Sequence, residues 1–463
     1  MASDDVCFRP ATELAAMIRQ RKLSPVEVTD AVIARAERLQ PKLNVFAYPM
    51  YEAARQAARA AESAVTSGKE LGPLHGVPIT IKDNVPIAGL PLGNGSIAMK
   101  DWVAPTDAVV TQRIKAAGAI IIGKTTLPEF AHRVLTDSPV WGVTRNPWNL
   151  EHTPGGSSGG TSAALAAGVA PLSVGTDGGG SIRAPASNTG VSGLKATLGR
   201  IPFEIMPDGF ANYVFVGPMA RTTADVALLY SVMAGPHMDD PYTLGQPPVA
   251  LSESKGKLRI GWIEHFGRYR TEAEVAQLTG AMVASLERQG HSVEPLADTC
   301  FDNVFDTYVV IATTAHAARL GPLVEKWGDK LTPTLRKSIT RGAKYSAVDW
   351  QLAHDRRTTL YRAVQRLFER YDVILTPTMN APPVRLDADG SVECDMYAEY
   401  AAPLYPINLT GNPAASVPAG FTKSGLPVGL QIIAPWFGEG RILKLAAELE
   451  AMHRWHERWP PVN

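Results

Sequence analysis

Three serines and one lysine carry the chemistry this chain offers. GGSSGG (155–160) sets Ser157 and Ser158 each at the centre of a G-x-S-x-G pattern, and GTDGGGSIR (175–183) sets Ser181 behind three glycines. A hydroxyl attacks a carbonyl when a base takes its proton and when donors receive the charge that develops on the carbonyl oxygen. The glycines answer the second need, because backbone N–H groups crowd around Ser181 without side-chain obstruction. The residues before Ser157, RNPWNLEHTP, hold two prolines and no strand-like alternation, which argues against the strand-turn-helix elbow of the α/β-hydrolases.

The base is harder to read. None of the ten histidines stands in a spacing that ties it to either serine, and His453 and His456 read as helix-surface residues. Lys82, in GVPITIKDN, closes an apolar strand-like run. Read alone it is a solvated strand end. A lysine titrates near 10.4, so it serves as a base only where burial keeps it neutral.

A competing motif, GAIIIGKT (118–125), matches the phosphate-cradling G-x-x-x-x-G-K-[ST] letter for letter. Its middle is Ala-Ile-Ile-Ile, which favours an extended, buried backbone. Pro128 would also fall inside the helix that the cradle must open. The stretch predicts a strand with no nucleotide role.

Around these residues the texture alternates. Residues 11–65 predict helices, with Ser24-Pro25-Val26-Glu27 as a capping box. Strand-like runs follow in GVPITIK, AIIIGK and PLSVGTD, with a helix over 109–118 between them. Residues 145–200 are rich in Gly, Ser and Ala but carry the apolar run LAAGVAPLSV, which fits close backbone approach around a site better than a linker. Farther on, LRIGWI and HSVEPL read as strands about a helix, 302–371 as helices, DVILTPT and GLPVGLQIIAP as strands, and a last helix begins near 440. The class is α/β. Length alone suggests two or three domains. The absence of any repeat, charge block or linker favours one large domain.

Composition narrows the function classes. The 463 residues carry 45 Lys and Arg against 45 Asp and Glu, so no excess charge draws nucleic acid or an anionic membrane. Cys7, Cys300 and Cys394 are too few and too scattered for a disulfide framework or metal site. A cytoplasmic protein without metal or cofactor is expected. The acidic N-terminus lacks the order of an export signal, and no stretch reaches the roughly 20 apolar residues of a membrane span.

Taken together, GVPITIKDN, GAIIIGKTTLPEF, NPWN, TPGGSSGGTSAA, GTDGGGSIRAPAS, GLKAT, NLTGNPAASVPAGF and GLPVGLQ resemble the amidase signature family of serine hydrolases, in family order across most of the chain. The resemblance implies a single domain (1–463) with a central mixed β-sheet flanked by helices, a signature core over 72–200 and an N-terminal helical segment over 1–71. It implies Ser181 as nucleophile, Ser157 as bridging serine behind a cis peptide from Gly156, and Lys82 as base. The backbone N–H groups of Gly178, Gly179, Gly180 and Ser181 map onto the oxyanion donors, and the Ala131 carbonyl onto a contact near the leaving group. Asp177 and Arg183 read as supports that hold the loop.

The implied activity is hydrolysis of a small amide, with anilides, carbamates and esters within reach, by a monomer or homodimer. Phe203, Met206, Phe210, Tyr213 and Phe215 hint at an aryl or alkyl acyl pocket, with ordinary core packing as the alternative. Other branches stay open: the A subunit of a glutamyl-tRNA(Gln) amidotransferase, and an inactive binding member of the fold. The amidotransferase branch places an acid seven residues before the C-terminal Asn; here Asn408 is preceded at that distance by Ala401.

Overall fold

Runs such as PITIK, IIIGKT and VILTP become strands because β-branched side chains fit a pleated surface that is covered on both sides. The computed structural model describes residues 6–252, 256–297, 299–387 and 397–462. Cys394 and the acidic residues that open the chain lie outside them. In chain order the strands are β1 (Phe46–Pro49), β2 (Pro78–Lys82), β3 (Ile120–Thr125), β4 (Asp137–Ser138), β5 (Gly142–Val143), β6 (Leu172–Asp177) and β7 (Ser192–Lys195). They continue with β8 (Phe215–Ala220), β9 (Arg259–Trp262), β10 (Ser292–Pro295), β11 (Val373–Pro377), β12 (Ala414–Phe421) and β13 (Pro427–Ile433). Eleven of these form one sheet in the order β1-β3-β2-β6-β8-β7-β12-β13-β11-β9-β10, and β4 and β5 make a separate ribbon. Pairing is mixed: β2 runs parallel to both β3 and β6, whereas β6, β8, β7, β12 and β13 are mutually antiparallel.

Helices cover both faces. On one lie α1 (Ala11–Arg19) and others that share a core with Ile79, Ile81, Leu172 and Val174, whereas α2 (Pro25–Leu43) and α3 (Tyr51–Thr66) bury most of their apolar side chains with Ile120 and Ile122 of the other face; α4 (Val109–Ala116) returns to the first. Side chains alternate across a strand. Thr80 and Lys82 therefore point to the opposite face, toward α5 (Gly159–Ala166) and α6 (Arg183–Thr189). Every residue of α5 and α6 is buried, which small side chains such as Gly, Ala and Ser permit. Next along the chain come α7 (Thr223–Met233), α8 (Ala273–Arg288), α9 (Val304–Trp327), α10 (Pro333–Gly342) and α11 (Ala347–Arg370). Two short helices, α12 (Tyr397–Tyr400) and α13 (Tyr405–Thr410), precede α14 (Glu439–His453).

The expectations about elements hold in outline. The Ser24 capping box closes α2, with Ser24 N–H donating to Glu27 Oε2 at 3.0 Å. GAIIIGKT contains β3, and Lys124, the lysine of the apparent nucleotide loop, is buried against Asp83 at 2.7 Å. Within 11–65, however, Phe46–Pro49 is a strand rather than helix, because it completes the sheet edge beside β3. The sequence reading does not foresee β7, β8 and β12; β7 pairs with β12 from the far end of the chain, although β12 also pairs with its neighbour β13 and β8 with β7, and Pro418 sits at the irregularity in β12, where proline is tolerated. His453 is exposed, and His456 is half-buried with Nδ1 2.9 Å from Glu450.

Candidate active site

Two parallel strands end side by side. β2 ends at Lys82 and β6 at Thr176 and Asp177, with Ile81 opposite Val174. Lys82 Nζ lies 2.7 Å from Ser157 Oγ and 2.8 Å from Thr176 Oγ1, and Asn84 Nδ2 donates to the same threonine oxygen at 2.9 Å. Lys82 is fully buried. Burial pushes its amine well below the usual lysine value, against the opposing pull of the Asp177 charge. The solvated strand end has become a desolvated amine between two hydroxyls.

Ser157 follows a cis peptide from Gly156. A Cβ on Gly156 would stand 2.6 Å from Leu135 N, so only glycine lets the chain pass there. Ser158 ties the two serine loops together, its N–H donating to the Ser181 carbonyl at 3.2 Å and its Oγ to the Thr176 carbonyl at 3.2 Å. Ser157 and Ser181 thereby open onto one cavity; Ser181 is 9% exposed and Ser157 1%.

The glycine loop hangs on Asp177. Its carboxylate accepts Arg183 Nη2 at 2.9 Å and Nε at 3.0 Å, the Gly180 N–H at 2.7 Å and the Ile182 N–H at 3.2 Å. Asn408 Nδ2 donates to it at 2.9 Å, and Arg183 reaches on to Asn408 and to Gln431 of β13, both at 2.6 Å. Burial alone would push the Asp177 carboxyl up, but Arg183 and Asn408 reverse this and hold it well below the usual carboxylate range. Gly180 has φ +117°, and a Cβ there would stand 2.4 Å from Leu404 Cδ1. Gly178 and Gly179 line the cavity with Ser181, whereas the Gly180 N–H is committed to Asp177.

Ala131 sits across the cavity in a 3-10 turn, with φ 57° after Phe130 at 48°. Buried Glu129 anchors this turn, accepting from Ser96 Oγ at 2.7 Å and from Thr332 N–H and Oγ1 at 2.7 and 2.8 Å, just ahead of α10. His132 Nε2 adds a contact to Thr334 Oγ1 at 2.8 Å.

The cavity measures about 510 Å³. Of the five candidate acyl-pocket residues, Phe203, Met206 and Tyr213 line it. Phe210 is 83% exposed, and Phe215 is a core residue of β8 under the Lys195 amine, 3.8 Å from its ring centre. The sequence reading missed Thr176, Asn84 and Glu129, and saw in Asn408 only a landmark. The signal for Thr176 was weak but present: it is the strand residue immediately before the Asp-Gly-Gly-Gly-Ser turn.

The Amidase family model matches residues 27–443 of the chain. The chain is 36% identical to the A subunit of the glutamyl-tRNA(Gln) amidotransferase from Streptomyces coelicolor, with 98% of this chain and 97% of that protein covered. It is 35% identical to the acylamidase of Rhodococcus erythropolis, with 99% and 98% covered. Among solved structures, a bacterial aryl acylamidase of the amidase signature enzymes superposes with a TM-score of 0.90 at 29% identity, covering 97% of this chain and 98% of that one.

Proposed function

Given that the chain belongs to the amidase signature family of amide-hydrolysing enzymes, we propose that Lys82, Ser157 and Ser181 are its catalytic residues and act through an acyl-enzyme on Ser181. The observation that carries this reading is the buried Lys82 amine, 2.7 Å from Ser157 Oγ in the cavity that also holds Ser181. A neutral Lys82 takes a proton from Ser157 while Ser157 takes one from Ser181, whose oxygen bonds to the amide carbon. Charge on the carbonyl oxygen falls to N–H groups of the glycine loop, Gly178 and Ser181 among them, with Gly180 held back by Asp177 to set the curve. The proton returns through Ser157 to the departing nitrogen, beside the carbonyl of Ala131. Water then attacks the ester along the reverse relay and frees the acid and Ser181.

Phe203, Met206 and Tyr213 favour an aryl or alkyl acyl group, which brings anilides and carbamates into range. A cytoplasmic setting, with the chain working as a monomer or homodimer, completes the reading. Among the described residues, no helix is long and apolar enough to cross a membrane.

The second reading, the glutaminase component of an amidotransferase, has the Streptomyces relative in its favour. Against it, no Asp or Glu among the described residues lines the cavity, and the sequence position seven residues before Asn408, where the amidotransferase branch places its acid, holds Ala401, buried in an apolar cluster. A stand-alone hydrolase fits better. The test is release of the leaving group from a primary aliphatic amide (ammonia), an anilide (aniline), a carbamate (amine) and an aryl ester (phenol), with no partner protein present. Wild type should turn over at least one, and Ser181→Ala should lose about 10³-fold or more in kcat. Near-wild-type turnover by Ser181→Ala would sink the assignment.

A further inference from the structure

Charge is spread unevenly over the cavity wall. Arg133 and Arg319 are the charged side chains that line it among the described residues. His132 and His316 also line it but stay neutral at pH 7, because burial pushes them down to about 3 and about 4. Arg133 is answered at short range, its Nη1 lying 2.8 Å from Asp137 Oδ2. Arg319 is not: Asp208 Oδ2 stands 3.8 Å away, on a side chain that is 42% exposed. An ion pair so long and so wet is weak, and it leaves the guanidinium able to take a better partner.

The helix sets the direction of that positive charge. Tyr308, Ala312, Ala315, His316 and Arg319 recur on one face of α9 and line the cavity together. Long helical side chains lean toward the N-terminus, which carries the Arg319 guanidinium back over the turn of Ala315 and His316. Its field acts on both His316 and Tyr213, two residues of the wall. The neighbouring wall, with Ala312, Leu320, Phe203 and Ile205, is apolar. Such a chamber suits a ligand with an apolar body and an anionic end, since a guanidinium matches a carboxylate with two parallel N–H donors.

We propose that Arg319 is a specificity residue that selects amides whose non-reacting end carries a carboxylate and disfavours those ending in an ammonium. This rests on the reading of the cavity as the amidase site. Three anilides of matched length test it: succinanilic acid, butyranilide and 4-aminobutyranilide. Wild type should prefer succinanilic acid over butyranilide by about tenfold in kcat/KM, mainly through KM, with 4-aminobutyranilide slowest. Arg319→Gln should erase most of that ratio, Arg319→Lys keep part of it, and Arg319→Glu shift the preference toward 4-aminobutyranilide. A merely structural role would lower all three rates together. Equal kcat/KM for the three anilides in wild type, or an unchanged order in Arg319→Glu, overturns the proposal. Failure of the amidase reading has a different mark, namely no aniline from any substrate. In that case calorimetric binding of succinanilic acid and butyranilide to the Ser181→Ala protein decides: tighter binding of the acid upholds Arg319, and equal binding or none overturns it.

Discussion

Lys82, the base we propose, is also a burden on the fold. Burial lowers its folded pKa below the unfolded value, so between the two the unfolded chain holds a proton that the folded chain lacks. Folding is therefore penalised at neutral pH, and the penalty fades as pH rises toward the ordinary lysine value. Lys82→Met should abolish turnover while its Tm, relative to wild type, stands highest at pH 7 and falls back as pH approaches 10. Paired thermal melts at the two pH values check this; a relative Tm that is flat with pH would mean that Lys82 stays charged in the fold. Its proposed role as base was legible only beside its two serines and through a family likeness. Its desolvation was not legible, because Ser157 and Thr176 come from 75 and 94 residues away.

At the scale of elements, the glycine loop is a short span between β6 and α6 whose shape is set by one carboxylate. Asp177→Asn removes the charge that answers Arg183 and weakens the acceptor of the Gly180 N–H. Breaking a buried pair in this way costs about 3 to 5 kcal/mol. The variant should melt lower and lose kcat more than it gains KM, as read by calorimetry alongside steady-state kinetics. An unchanged kcat would show that the loop keeps its curve without Asp177. The same scale shows what the residues could tell. GAIIIGKT reads correctly as a strand because three β-branched residues in a row outweigh a matching string of letters. By contrast β7, with Ser-Gly-Leu-Lys, has no local pattern at all. It is a strand because β8 and β12 flank it, the latter more than 200 residues away, and such pairings are settled by long-range contacts.

Across the whole molecule, positive and negative residues balance, so the protein has no excess charge with which to gather substrate. Selection falls to the cavity. Its walls join distant parts of the chain: the ends of β2 and β6, the turn at Ala131 that Glu129 holds to the residues ahead of α10, and one face of α9. The single-domain expectation from the absence of linkers agrees with this, whereas the count from length does not. Because Lys82 and Thr176 belong to neighbouring strands of one continuous sheet, and Ser158 ties the serine loops to Thr176, separating the proposed base from its partners by heat means loosening the sheet. The temperature at which turnover is irreversibly lost should then coincide with the far-ultraviolet melt, and inactivation half-lives should match unfolding half-lives. Activity fading well below the melt would disprove this. The shelf life of the enzyme is the lifetime of its sheet.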